Sequence, residues 1–306
     1  MGPLQSIGYR NRRPGGHEAS SSGRRPQRGV GRAARPASVT TANRPIRSPF
    51  CTCTRAIARL SAQYHTRWHA IGVPADDDQT FVAATAVAGD SEIHHLTGGT
   101  HHSLAIRLGD GVVVVEPPLN EARSKAVLAK VEELWPGVPV THLILTHHHY
   151  DHMGGIRTYA AAGATIVTSA LNRTYVEEAL SSSHTLVVDE LAGAESPEWQ
   201  IEAVAPDGEF SLERGGRTVK ARQVPTIHSD GLLVAHVPET RLLFVSDIYL
   251  PALFPAGQPL PEPFSGWGQG LREQLPTFDW DVEWIVGGHG GIDSIADFRS
   301  HFDPLR

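Results

Sequence analysis

Cysteine and long apolar runs are scarce in this 306-residue chain. Its only two cysteines, Cys51 and Cys53, stand close together near the N-terminus, which excludes a disulfide scaffold and any zinc finger built on cysteine ligands. No stretch approaches the roughly 18 uninterrupted apolar residues of a membrane span. The apolar run of a secretory signal is also missing after the early arginines. We therefore expect a cytoplasmic protein that does not associate with membranes.

The N-terminal quarter of the chain nearly lacks negative charge. Residues 1–75 contain thirteen arginines, no lysine and one acid, Glu18, a formal charge of +12, whereas residues 76–306 carry −18. Residues 1–50 are rich in Gly, Pro and Ser, and such a composition cannot bury enough apolar surface to offset the entropy of ordering. We predict that residues 1–75 are disordered, that 76–91 form a linker and that 92–306 form a catalytic domain. The basic segment has three candidate roles: a tail, a targeting peptide, or an extension from a misplaced start.

From about residue 90, short apolar strands alternate with helices. The pattern predicts strands at 92–98, 102–108, 112–115, 140–145, 164–168, 217–224, 231–237, 241–246 and 283–286. Helices are expected over 121–135, beginning at Asn120, and over about 153–162. A last helix has the apolar face Ile292, Ile295, Phe298 and Phe302. This order of elements suggests two sheets sandwiched between helices.

Histidine is unusually abundant, with 17 in the chain, and the densest group follows the predicted strand at 140–145. His147 and His149 are two residues apart, so an extended backbone projects both to the same side. Asp151 and His152 follow in the turn that opens the next helix. One extended pair and one turn pair can serve two neighbouring metal ions. Imidazole and carboxylate ligands suit zinc, and also iron, manganese or cobalt.

The run from His147 to His152 resembles the H-x-H-x-D-H signature of the metallo-β-lactamase superfamily, and the resemblance extends over residues 92–306. Three single residues match further ligands in order: His228 after Pro-Thr-Ile, Asp247 at the end of an apolar strand, and His289 after Val-Gly-Gly. The resemblance implies an α/β fold, an αββα sandwich of two mixed β-sheets flanked by helices. It also implies that one metal is bound by His147, His149 and His228, and the other by Asp151, His152 and His289, with Asp247 bridging both.

The same resemblance implies a hydrolase that uses a hydroxide shared by two metal ions, most simply two Zn²⁺ per chain. Members that hydrolyse β-lactams typically carry Cys or Ser where this chain has Asp247, whereas thioesterases of the glyoxalase II type, lactonases and many phosphoesterases carry Asp. The motif looks most like the glyoxalase II-like and SoxH-like branch. We therefore predict a small-molecule substrate, an ester, thioester or lactone, with Asp151 and Asp247 as the catalytic residues.

Two alternatives with the same fold stay open. A mononuclear iron dioxygenase that oxidises sulfur compounds would occupy only one metal site, and iron or manganese could replace zinc. A nuclease or phosphodiesterase would need a basic surface to follow phosphates, and the charge of −18 over residues 76–306 disfavours nucleic acid as a partner. The sequence predicts no oligomeric state.

Several residues near the motif have open roles. Glu116 stands where many superfamily members have Asp, and it is either a hydrogen-bond partner of a metal ligand or a surface carboxylate. His101 and His102 are adjacent on a strand start, so at most one of them can face the site. Tyr249 is reminiscent of a lactonase tyrosine. His148 and Tyr150 occupy variable motif positions and are expected to face away from the metals, and the stretch 205–275 is expected to form loops around the substrate.

Overall fold

The computed structural model describes residues 80–194 and 198–302 of the chain. The predicted disorder of residues 1–75, and any role of that basic segment, therefore lie outside the described residues. Within them, no helix is long and apolar enough to cross a membrane.

Seven strands form the first sheet, and their spatial order follows the chain. They are β1 (Ala83–Val87), β2 (Asp90–Thr97), β3 (Ser103–Leu108), β4 (Gly111–Val115), β5 (Val140–Ile144), β6 (Thr165–Ser169) and β7 (Ile201–Val204). The first four pair antiparallel, and β4 to β7 pair parallel. The parallel half requires crossovers, which contain α1 (Glu121–Leu134), α2 (Tyr150–Met153), α3 (Ile156–Ala161), α4 (Arg173–Ser181) and α5 (Glu190–Gly193).

Six strands form the second sheet, in the order β13-β12-β11-β10-β9-β8. Their bounds are β8 (Glu209–Arg214), β9 (Arg217–Val224), β10 (Leu232–Val237), β11 (Leu242–Val245), β12 (Trp284–Gly287) and β13 (Ile292–Ser294). Helix α6 (Phe264–Gln274) connects β11 to the parallel strand β12, and α7 (Ile295–Phe302) closes the described chain. The other pairs in this sheet are antiparallel.

The valines of β4 show how the layers are held together. All of β4 is buried, and its side chains alternate between two apolar clusters. Val112 and Val114 pack with residues of α1, α3 and α4, whereas Val113 and Val115 pack between the two sheets. A third cluster joins the outer face of the second sheet to α6 and α7. Each buried Val contributes about 1.5–3 kcal/mol, and the three clusters confirm the predicted αββα sandwich.

Helix α1 begins as predicted, because the Asn120 side chain accepts a hydrogen bond from Arg123 N at 3.0 Å. The helix predicted over 153–162 is instead two short helices, α2 and α3. They meet at Gly154 and Gly155, where an added Cβ would lie 2.0 Å from Leu119 O and 1.8 Å from Ser124 Oγ, respectively. Glycine here lets the motif turn pack directly against the start of α1.

Other boundaries also differ from the predicted ones. Strand β1 and the start of β2 lie within the stretch 76–91 that the sequence predicts as a linker. Ile292 belongs to β13 rather than to the last helix, because it pairs with Val286. The stretch 205–275 contains β8 to β11 and α6, so it is much more regular than the predicted loops.

Candidate metal centre

Strand ends bring the predicted ligands together at one edge of the two sheets. Strand β5 leads into His147, β11 leads into Asp247 and β12 leads into His289. His228 lies in the connection between β9 and β10, and Asp151 lies in the first turn of α2. In parallel neighbours the carboxyl ends meet at one edge, which explains how residues up to 142 positions apart converge.

The carboxylate of Asp247 lies between two groups of imidazoles. Its Oδ2 atom is 2.8 Å from His228 Nε2 and 3.5 Å from His147 Nε2. Its Oδ1 atom is 3.0 Å from His152 Nε2 and 2.9 Å from His289 Nε2. Each carboxylate oxygen therefore faces a different pair of ring nitrogens.

The candidate ligands fall into two sets of four residues, and within each set the donor atoms all lie within 4.8 Å of one another; a third set, Glu116, His147 and His152, overlaps both. We call the first set, His147, His149, His228 and Asp247, site 1, and the second set, His101, Asp151, His152 and His289, site 2. All seven predicted site residues are present in these sets, and Asp247, which the resemblance assigns to both metals, belongs to site 1 only. His101 is an additional member of site 2.

The Nδ1 atoms of three of these histidines lie within hydrogen-bond distance of oxygen atoms. His147 Nδ1 is 3.0 Å from Thr146 Oγ1, His152 Nδ1 is 2.5 Å from Glu116 Oε2 and His289 Nδ1 is 2.6 Å from the Thr100 carbonyl. A metal-binding imidazole characteristically donates its other N–H to an oxygen, which fixes its tautomer and orientation. The Nε2 atoms of these three histidines point into the cluster, towards Asp247.

Glu116 connects the two sites, which answers the question that the sequence left open. Its side chain is fully buried. One carboxylate oxygen accepts from the Thr146 hydroxyl, which contacts His147 of site 1, and the other contacts His152 of site 2. Glu116 is therefore a partner of the cluster and not a surface carboxylate.

Burial keeps two imidazoles of site 1, those of His147 and His149, neutral. It lowers the pKa of His147 well below its ordinary value, and the nearby His152 adds to the shift. The pKa of His149 falls to about 3, because burial and then the neighbouring His228 disfavour its charged form. Neutral imidazole is the form that binds a metal ion.

Asp247 has the opposite electrostatic effect on the cluster. Burial alone would raise the pKa of its carboxyl, but the imidazoles around it, His147 first, hold that pKa well below its ordinary value. The ionised carboxylate in turn raises the pKa of His289 against the effect of burial. Burial also opposes protonation of His152, whose pKa is nevertheless raised well above its ordinary value by Glu116 and then by Asp247.

The residues fit metal ions on the chemistry of their donors. The Nε2 atoms of His147 and His228 are 3.3 Å apart, as are those of His152 and His289. From the part of the chain that the structure describes, no hydrogen bond of good geometry reaches Asp247 Oδ1, although Asp247 is buried. Ring nitrogens that converge around a buried anionic oxygen form a set of donors that suits a bound cation.

Of the residues with open roles, His101 faces the cluster and His102 does not. His101 Nε2 is 3.2 Å from Asp151 Oδ2, whereas the His102 ring packs edge-on against His95 at 5.1 Å. His148 belongs to neither set and lies against Ser229 and Tyr175, in agreement with its predicted orientation.

Tyr249 is not placed as the lactonase resemblance suggested. Its hydroxyl donates to Asp293 Oδ2 at 2.7 Å, and its ring packs against Phe298 in the apolar cluster beneath α6 and α7. The side chain is 1% exposed. The tyrosine is therefore a core residue, since both its ring and its hydroxyl are already committed.

Three residues near the site were missed at the sequence level. Thr146 and Thr100 contact the ligand histidines, and Arg123, fully buried on α1, donates to the carbonyl of His101 at 3.2 Å. The position of Thr146 directly before the motif could have indicated its contact with His147. Thr100 and Arg123 had no such local signal, because their contacts depend on strand and helix packing.

An αββα sandwich with a histidine and aspartate cluster at the sheet edge defines a class of metal-binding enzyme folds. A family model described as the metallo-β-lactamase superfamily matches residues 96–289, well over half of the chain. The chain belongs to the metallo-β-lactamase superfamily.

Individual relatives are distant. The chain is 23% identical over 209 residues to the 2,4-dinitroanisole O-demethylase subunit alpha of Nocardioides sp. (strain JS1661). The matched region covers 68% of this chain and 58% of that protein. The chain thus spans less than two thirds of that relative. Among solved structures, a metallo-β-lactamase from Pontibacter korlensis is 16% identical with a TM-score of 0.54, covering 73% of this chain and 98% of that one. The metallo-β-lactamase FIM-1 from Pseudomonas aeruginosa, in its mono-zinc form, is 15% identical with a TM-score of 0.53, covering 76% and 96%. These structural likenesses show the fold alone.

Proposed function

We propose that the protein is a dinuclear metal-dependent hydrolase, with zinc as the most suitable ion, acting on a small ester, thioester or lactone. The observation that supports this best is the position of Asp247. Its two oxygens lie 2.8–3.5 Å from four Nε2 atoms, two on each side. A carboxylate placed in this way suits two neighbouring cations, because its negative charge offsets their mutual repulsion.

In this proposal His147, His149 and His228 hold one ion, Asp151, His152 and His289 hold the other, and Asp247 contacts both. Bound metal ions supply an acidified water and a Lewis acid for the substrate's carbonyl oxygen. The other roles in the reaction belong to side chains of the protein. Asp247 holds the two sites in register. Asp151, whose side chain is 40% exposed against 11% for Asp247, can receive a proton at its carboxylate and release it to solvent.

An apolar wall beside site 1 supports a substrate with an apolar or aromatic portion. The Trp267 ring packs edge-on against His228 at 4.4 Å, and Phe264 packs against Trp267 at 5.3 Å. Ile227, directly before His228, is 79% exposed and lies against the same helix, α6. We propose that the acyl or leaving group of the substrate lies along this wall.

The two other reactions of the fold are less well supported. A mononuclear iron dioxygenase does not account for the four donor side chains of site 2. A nuclease does not suit a charge of −18 over residues 76–306. The distant relative's name describes the demethylation of an aryl methyl ether, so aryl ethers belong among the substrates to be tested.

Metal analysis of the purified protein, followed by a hydrolysis screen, tests the proposal. We expect about two metal ions per chain and turnover of thioesters, lactones or aryl esters that chelation abolishes. β-Lactams, phosphodiesters and aryl ethers complete the panel. One iron per chain, with oxygen uptake on persulfides, would instead support the dioxygenase.

Substitution of Asp247 separates the dinuclear proposal from a single-ion one. Asp247→Asn keeps the size of the side chain but removes its charge. It should therefore weaken the binding of at least one metal ion and lower turnover by about 10–100-fold or more. Asp110→Asn makes the same chemical change in the β3–β4 turn, where the side chain is 93% exposed, and should leave both properties unchanged. An Asp247→Asn protein with two metals and full activity would contradict the proposal.

A further inference from the structure

We infer that His101 is a fourth protein side chain of site 2 and binds the same metal ion as Asp151, His152 and His289. This inference rests on the proposed metal centre and goes beyond the ligand set that the sequence motif implies. His101 belongs to the loop between β2 and β3, outside every segment of that motif.

Distance supports a shared ion. Ligand atoms held at about 2.0–2.2 Å from one metal ion lie within about 4.4 Å of one another. His101 Nε2 is 3.2 Å from Asp151 Oδ2, which is 3.5 Å from His152 Nε2. The His101 ring also packs at 4.3 Å from that of His289. These separations match those between the motif ligands themselves.

The ring of His101 has the same orientation as the other candidate ligands. Its Nε2 atom faces the cluster, and its Nδ1 atom is 2.8 Å from the Thr100 hydroxyl. The carbonyl of the same Thr100 meets Nδ1 of His289 at 2.6 Å. One residue thus orients two imidazoles of site 2, an arrangement typical of the partners of metal-binding histidines.

The loop that carries His101 is held by a buried cation. Arg123 donates to the carbonyls of His101, Leu96 and Phe81 at 3.2, 3.4 and 2.6 Å. An added Cβ at Gly98 would lie 2.4 Å from Arg123 Nη1, so glycine is needed for this close approach. The His101 side chain is only 12% exposed. The backbone that carries the imidazole is therefore held by contacts with the rest of the fold.

With Asp247, site 2 then offers three imidazoles and two carboxylates, against three imidazoles and one carboxylate at site 1. Five protein donors exceed the four of a structural zinc site. Site 2 should therefore tolerate ions that accept five or six ligands, such as cobalt or manganese, better than site 1 does.

Titration of the metal-free protein with Co²⁺ tests the inference without measuring activity. The variant is His101→Gln, whose amide N–H can still donate to Asp151 but whose side chain lacks the imidazole. The control is His148→Gln, the same change at a motif histidine that faces away from the cluster. The readouts are chelator competition and the visible absorption of each bound Co²⁺.

We expect wild type and His148→Gln to bind two Co²⁺. In His101→Gln, the second equivalent should bind at least about 10-fold more weakly, with a changed visible spectrum, and the first should be unaffected. Two equivalents with wild-type affinity and spectrum in His101→Gln would overturn the inference and leave His101 as a partner of Asp151. Wild type that binds fewer than two ions would instead refute the proposed dinuclear function, so the two failures are distinguishable.

Discussion

Glu116 allows the sharpest test of how the two sites are coupled. Its buried carboxylate accepts from Thr146 Oγ1 on one oxygen and contacts His152 Nδ1 at 2.5 Å on the other. Glu116→Gln retains the shape but has one acceptor oxygen and one amide donor. If the new side chain keeps its oxygen towards His152, its amide N–H points at Thr146 Oγ1. The Thr146 hydroxyl must then turn its proton towards Nδ1–H of His147, so that two donors face each other.

The expected cost is set by what such partners contribute elsewhere. Loss of a hydrogen-bond partner of a metal ligand lowers metal affinity or activity by about 10–100-fold, or roughly 1.4–2.7 kcal/mol. Since Glu116 contacts His152 directly and His147 through Thr146, Glu116→Gln should weaken the binding of both ions. Thr146→Val, nearly equal in size, removes the contact with His147 at 3.0 Å and the hydroxyl that donates to Glu116, and it leaves the Glu116–His152 pair untouched. It should weaken the binding of the site 1 ion and leave the affinity for the site 2 ion within about twofold of wild type, since the Glu116–His152 contact remains.

Zinc titration of the metal-free proteins against a chromophoric chelator measures these affinities. Thermal unfolding in chelator shows whether each variant still folds, and Glu213→Gln, at an exposed position of β8, is the matched control. A folded Glu116→Gln protein that binds two zinc ions with wild-type affinity would refute the coupling. Equal losses at both sites in Thr146→Val would show that the route through Thr146 is not specific to site 1.

Three further predictions concern other parts of the chain. Asp189→Asn should cost about 3–5 kcal/mol in chemical denaturation at neutral pH, because it leaves the guanidinium of Arg157 buried without its bidentate partner at 2.6 and 2.9 Å. Burial alone would raise the pKa of the Asp189 carboxyl, but Arg157 holds that pKa below its ordinary value. The stability from this pair is therefore present above about pH 4, and the difference between wild type and Asp189→Asn should shrink below that pH. Trp267→Ala should raise KM for substrates with large apolar groups more than it lowers kcat, in steady-state assays across a homologous ester series. Deletion of residues 1–75 should leave folding and hydrolysis intact, and loss of either would show that this segment packs on the domain.

Local periodicity accounts for what the sequence determined. The four-valine run of β4, the cap at Asn120 and the spacing of His147 and His149 are properties of neighbouring residues, so strand, helix start and side-chain direction follow from them directly. The order of the motif segments then indicated which distant residues would meet, and Asp247 does lie between the two sets of imidazoles.

Tertiary packing decided the remaining roles. His101 and His102 are equivalent in sequence, and only the loop geometry held by Arg123 directs one of them to the cluster. The hydroxyl of Tyr249 is used 44 residues away, at Asp293, and His289 meets Thr100 across 189 residues. Such contacts carry no periodic signal, because they depend on how the two sheets and their helices pack and not on the identity of neighbouring residues.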